Sequence, residues 1–167
     1  MIGYKNGISM SVRILIMGLP GSGKTYLANA LQRELHNKGF TVEWFNADEV
    51  RERFDDWDFS EAGRIRQGHR MRDLAEKSTA DFVISDFVAP LPAMREAYGA
   101  NLVIWMDTID SGRYEDTNRV FVAPEQYDYR IIVKNGERWA STIADVLEYK
   151  HVNKKQNWFT KIFRKTK

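Results

Sequence analysis

The octapeptide GLPGSGKT, residues 18–25, constrains this chain more than any other stretch. Gly18, Gly23, Lys24 and Thr25 match the spacing G-x-x-x-x-G-K-[ST]; glycines there let the backbone turn tightly and aim successive N–H groups at one anion. The loop is entered from the apolar run VRILIM (12–17) and leads into YLANALQREL. A short branched apolar run reads as a buried parallel strand, and the segment after the loop as an amphipathic helix. Strand, loop and helix together offer unpaired amides and a positive dipole end to phosphate. The pattern predicts a site for the triphosphate of ATP, cradled by Gly18, Gly21, Ser22 and Gly23. Lys24 bridges the transferred and adjacent phosphates, and the Thr25 hydroxyl is a ligand for Mg²⁺.

The rest of the chain alternates in the same way. A helix is predicted over Thr25–Lys38, with Leu27, Ala30, Leu31 and Leu35 as its apolar stripe and Gly39 as its stop. TVEWF (41–45) is a second strand leading to Asn46 and Asp48. DEVRERF and SEAGRIRQGHRMRDLAEKS form a helix pair separated by DDWDF. DFVIS is a third strand ending at Asp86, LPAMREAY a short helix, and NLVIWM a fourth strand ending at Asp107. After the polar stretch DSGRYEDTNR, YRIIV is a fifth strand, and a helix follows near ERWASTIADVLEY. Such alternation implies right-handed crossovers. The expected fold is a three-layer α/β/α P-loop nucleoside triphosphate hydrolase fold, with a mostly parallel five-stranded sheet.

With 167 residues the chain has length for one domain, predicted as 1–149, followed by a basic tail, 150–167. The tail carries seven Lys or Arg and no acid, leaving 18 basic and 23 acidic residues in the body. It reads as a solubilising terminus or as an amphipathic helix against the domain or a membrane surface. The competing reading uses Trp158, Phe159 and Phe163 among the lysines to grip and stack nucleic acid. No apolar run approaches the ~20 residues of a membrane span. The N-terminal stretch MIGYKNGISMSVRILIMG lacks a small-residue cleavage site and reads as a first strand. Without cysteine, disulfides, thiolate metal sites and a cysteine nucleophile are excluded. Use of a cellular nucleotide makes the expected location cytoplasmic. The oligomeric state is left open, a homodimer included.

Ligands of open parallel sheets bind beyond the carboxyl ends of the strands, where Asp48, Asp86 and Asp107 fall. Phosphoryl transfer to a hydroxyl needs one carboxylate to orient and deprotonate the acceptor, and another to hold Mg²⁺ through water. Asp48 is assigned the first task and Asp86 the second; the plainer role for Asp48 is to cap the helix that follows it. Asp107 reads as a turn residue at a strand end and is left out of the site.

In order, these motifs resemble the adenylyl-sulfate kinase family, which moves the ATP γ-phosphate to the 3′-hydroxyl of adenylyl sulfate in sulfate assimilation. GLPGSGKT resembles its glycine loop, and NADEVRERF its Asp-Gly-Asp-Asn-Val-Arg stretch. DFSEAGRIRQ resembles its Gly-Phe-Ser … Asp-Arg segment, and VAPLPAMRE its Ile-Ser-Pro-Tyr-Arg segment. The resemblance implies that Asp48 is the base and that Arg51 and Arg64 bind acceptor oxygens, while Phe59 packs near the acceptor base. Guanidinium forks and a flat ring suit those tasks. Arg66, Arg70 and Arg72 read instead as a solvated helix face, and His69 as a surface residue.

The chain also departs from the family. Asn46 replaces the first Asp of Asp-Gly-Asp, and Ala89 replaces the serine of Ile-Ser-Pro, which removes a phosphoserine route. The long lid after the fourth strand is reduced to DSGRYEDTNRVFVAPEQYD. There Arg113 or Arg119 is a candidate lid charge, and Phe121 a second aromatic wall for the acceptor. Three functions are therefore compared: kinase of adenylyl sulfate, kinase of a hydroxylated base or sugar within DNA, and non-catalytic nucleotide-binding switch. No Asn-Lys-x-Asp stretch for reading guanine is present.

Overall fold

The computed structural model describes the backbone of residues 4–5, 8–9 and 11–163 and the side chains of residues 11–153. An antiparallel pair, β1 (Tyr4–Lys5) and β2 (Ile8–Ser9), stands outside the main sheet, where the sequence predicts part of a single first strand. The loop-bearing strand β3 (Val12–Met17) is central. It pairs with β5 (Phe82–Asp86) on one side and β6 (Leu102–Met106) on the other. The edges are β4 (Val42–Asn46), beside β5, and β7 (Tyr129–Ile131), beside β6. All four pairings are parallel, so the sheet is wholly rather than mostly parallel.

Period-two alternation divides the core. Ile14 and Ile16 point to the face covered by α1 (Lys24–Asn37) and α6 (Gly136–Phe163), where they join Leu27, Leu31, Leu35 and Ile143. Leu15 and Met17 point the other way. There they meet α2 (Ala47–Phe54), α3 (Glu61–Lys77) and α4 (Pro92–Tyr98) through Val50, Met71, Met94 and Tyr98. Both faces being covered explains why these strands read as continuous apolar runs. The result is the three-layer α/β/α arrangement expected from the sequence.

Two elements differ from expectation. The polar stretch after β6 contains a short helix, α5 (Glu115–Val120), and the last strand stops at Ile131, leaving Ile132 and Val133 each 64% exposed. The helix α6 runs without a break through residues 149 and 150, the expected division between domain and tail. Trp158, Phe159 and Phe163, on which the nucleic-acid reading of the tail rests, lie outside the described side chains. Among the described residues, no helix is long and apolar enough to cross a membrane.

Register sets up the site. Asn46 at the end of β4 lies directly opposite Asp86 at the end of β5, and Ile16, next to the loop, lies opposite Asp86 on the other side.

Candidate active site

The loop after β3 is shaped by close approach. Gly18 has φ +144°, and a Cβ there would sit 2.4 Å from the Met106 carbonyl oxygen, so no other residue fits. Gly23, at φ +99°, begins α1, and among the described residues no side chain caps that helix. Its first-turn amides are therefore available to an anion. The buried Ser22 hydroxyl likewise has no hydrogen-bond partner among the described residues. From outside, the Thr108 hydroxyl donates to the Ser22 carbonyl at 2.7 Å and the Lys134 ammonium to the Gly21 carbonyl at 2.9 Å. Neither residue carries a sequence signal for the loop, because both lie after distant strands.

Lys24 donates to the Leu19 carbonyl at 3.0 Å, on its own loop. Desolvation lowers its pKa to about 8, against the opposing pull of the Asp86 and Asp48 carboxylates. Beside it, Asp86 is only 2% exposed, and burial raises its pKa against the donors that hold it. Oδ2 accepts from the Thr25 hydroxyl at 2.8 Å, while Oδ1 accepts from the Trp44 indole at 3.2 Å and the Asn46 amide at 3.0 Å. A hydroxyl next to a carboxylate is a hard oxygen donor set that fits Mg²⁺. Among the described residues no three His, Cys, Asp or Glu side chains group as a metal site. Thr25 and Asp86 thus suit an ion that keeps its other positions for phosphate and water.

Asp48 stands in the first turn of α2, exposed on the wall of the same cleft. The capping role open to it belongs to Asn46, whose Oδ1 accepts from the Asp48 and Glu49 amides at 3.0 and 3.2 Å. The cleft encloses about 550 Å³ and brings Gly21, Lys24, Thr25, Asp48, Phe59, Arg64 and Asp86 together.

The opposite wall differs from expectation in several places. Arg64 lines the cleft, and its guanidinium donates to the Phe59 carbonyl at 2.8 Å and to Asp116 on α5 at 3.1 Å. Arg51 is buried and outside the cleft lining: its guanidinium donates to the Asp56 and Asp58 carbonyls at 2.9 and 3.1 Å. It stacks beneath Phe59, 4.6 Å from the ring centroid. Phe121 is also outside the lining; it stands at the C-terminal end of α5 and packs, partly buried, against the core on the α2–α4 face of the sheet. Trp57 and Tyr114 supply half-exposed aromatic surface in the cleft instead. Trp57 had a sequence signal in its spacing, two residues before Phe59; Tyr114 had none until α5 is known.

Of the two lid arginines, Arg113 lines the cleft, whereas Arg119 is 73% exposed and pairs with Glu115. Arg66 and Arg70 are not simply solvated: both bond Asp56, at 2.9 and 2.7 Å, and tie down the segment that carries Trp57 and Phe59. Arg72 pairs with Glu76 at 2.9 Å, His69 is exposed, and Asp107 is held by Arg130 at 2.6 Å.

Residues 10–106 match the family model described as adenylylsulphate kinase. Among curated proteins, the chain is 32% identical over 96 residues to the adenylyl-sulfate kinase of Bacteroides thetaiotaomicron, covering 56% of this chain and 47% of that one. It is 36% identical over 90 residues to the probable adenylyl-sulfate kinase of Archaeoglobus fulgidus, covering 52% and 58%. The chain thus spans about half the length of these curated relatives. Among solved structures, the Mycobacterium tuberculosis APS kinase in complex with AMPPNP and APS aligns with TM-score 0.67 and 21% identity, covering 83% of this chain and 98% of that one. The shikimate kinase of Aquifex aeolicus aligns with TM-score 0.56 and 19% identity, covering 84% and 99%. At these identities the structural matches speak to the fold.

Proposed function

The chain belongs to the adenylylsulphate kinase family, and we propose that it is an ATP-dependent phosphotransferase that moves the γ-phosphate onto the 3′-hydroxyl of adenylyl sulfate. The observation that carries this reading is the convergence, in one cleft, of Lys24 and Thr25 of the phosphate loop with Asp48, Arg64 and Phe59.

The loop amides and Ser22 hold the ATP phosphates, and Lys24 exchanges its bond to Leu19 for phosphate oxygens. Thr25 and Asp86 would hold Mg²⁺, which would supply charge neutralisation at the phosphates. Asp48 accepts the proton of the acceptor hydroxyl as that oxygen bonds to the γ-phosphorus. The bond from that phosphorus to the β,γ-bridging oxygen breaks and ADP leaves. Arg113 stabilises charge on the transferring group. Arg64 binds acceptor oxygens, with the acceptor base against Phe59. Arg51 acts indirectly, by supporting Phe59. With Ala89 where the family has serine, transfer is direct. Use of ATP and adenylyl sulfate gives the protein a cytoplasmic place in sulfate assimilation.

The test offers γ-labelled ATP and Mg²⁺ in parallel to adenylyl sulfate and to DNA containing hydroxymethylated pyrimidines. Label is expected on adenylyl sulfate alone, and Asp48→Ala should lower its rate by about 10²–10⁴-fold while sparing ATP binding. Label on DNA alone, or turnover unchanged in Asp48→Ala, overturns the reading.

A further inference from the structure

Asn46 stands where the family resemblance leads one to expect aspartate, and its hydrogen bonds join two parts of the site. Its Oδ1 accepts from the amides of Asp48 and Glu49, closing the first turn of α2. Its Nδ2 donates to both oxygens of Asp86, at 3.0 and 3.2 Å, and approaches the Thr25 hydroxyl at 3.4 Å. The orientation of the amide follows from these partners: flipped, it would set an NH₂ against two N–H donors and an oxygen against a carboxylate.

We propose that Asn46 is a positioning residue of the phosphotransfer site, holding Asp86 against Thr25 with its amide while its carbonyl oxygen fixes the turn that carries Asp48. This rests on the phosphotransferase reading above. A side-chain amide carries its acceptor and its two donor hydrogens on separate atoms, which lets one residue serve both partners at once. Aspartate would cap α2 equally well but would turn an acceptor-only group toward Asp86. Serine would cap α2 but has no NH₂ to reach the carboxylate. Asp86 is almost fully buried, so losing one of its donors leaves an oxygen that water replaces poorly. Trp44 donates to that same carboxylate at 3.2 Å, so its indole reports where Asp86 sits.

The variants Asn46→Ser and Asn46→Asp separate the two roles, since both retain a capping side chain. They should stay cooperatively folded, with the melting temperature lowered by no more than about 10 °C, the scale of one donor lost from a buried carboxylate while the cap is kept. Without any nucleotide, the Trp44 indole N–H resonance, identified by its loss in Trp44→Phe, should move in both variants. With ATP, Mg²⁺ and adenylyl sulfate, kcat should fall about tenfold or more, with the acceptor KM within about twofold of wild type. An indole resonance that stays in place overturns the proposal whether or not the wild type turns over. So does a kcat equal to that of an active wild type, or a collapse in melting temperature that accounts for the lost rate. A moved resonance in a protein whose wild type transfers no phosphate overturns the proposed function and leaves Asn46 as the residue that holds Asp86.

Discussion

On the phosphate-loop side of the cleft, shape is set by main chain: Gly18 pressed against Met106, the uncapped start of α1, and carbonyls pinned by Thr108 and Lys134. On the aromatic side it is set by side-chain pairing within the site wall. Arg51 and Arg70 hold the segment bearing Trp57 and Phe59, and Arg64 reaches across 52 residues to Asp116. The first side leaves groups ready for an anion. The second has already matched its cations with internal partners. In the proposed reaction an anionic acceptor competes with Asp116 for Arg64, whereas ATP competes with the neutral Leu19 carbonyl for the hydrogen bond of Lys24.

The largest effect expected from breaking this contrast is on the loop side. Lys24→Ala should reduce labelled phosphate transfer by about 10²–10³-fold or more, because a preorganised charge is lost at the reacting phosphate. Retained transfer would mean that the loop cation is dispensable. A smaller effect, of opposite sign, is expected across the cleft. Asp116 is 68% exposed, and pairs with an exposed partner are worth little. Asp116→Asn should therefore lower the acceptor KM by roughly two- to fivefold and leave kcat unchanged. An unchanged or higher KM in steady-state assays would remove Asp116 as a competitor.

The smallest effect concerns acid. Hydrogen bonds from Arg66 and Arg70 hold the Asp56 carboxyl well below its usual 3.8. A depressed carboxylate pKa stabilises the fold above the unfolded value, and that stabilisation is lost as pH falls through the folded one. The melting-temperature gap between wild type and Asp56→Asn should therefore be full at pH 7 and should narrow below about pH 4. A gap independent of pH would assign the segment's stability to other contacts.

The same contrast explains what could be read in the sequence. The loop, the strand ends at Asn46 and Asp86 and the stripe of α1 were legible because glycine spacing and apolar period are local properties. The short helix α5 was not, since EDTNRV has no apolar stripe. Tertiary contacts hold it: Asp116 on Arg64, buried Thr117, and Asn118 exchanging hydrogen bonds with Gly112 at 2.8 and 2.9 Å. That helix turns Tyr114 into the cleft and carries Phe121 away to the core. The sequence places Arg51 in this region, but a guanidinium that binds ligand and one that binds carbonyls of its own chain look alike until their partners are seen. YRIIV reads as a strand throughout because Ile132 and Val133 favour strands, yet the partner ladder ends at Met106 opposite Ile131.

The position of Lys24 has a further consequence. In energy-landscape language it is a frustrated residue: folding desolvates its ammonium and offers it, on its own loop, a single neutral carbonyl at 3.0 Å. Desolvation outweighs that bond and the pull of Asp86 and Asp48 together, so the charged ammonium is disfavoured at this point of the fold. The conflict is relieved when a phosphate arrives, so fold and function pull in opposite directions at this one residue.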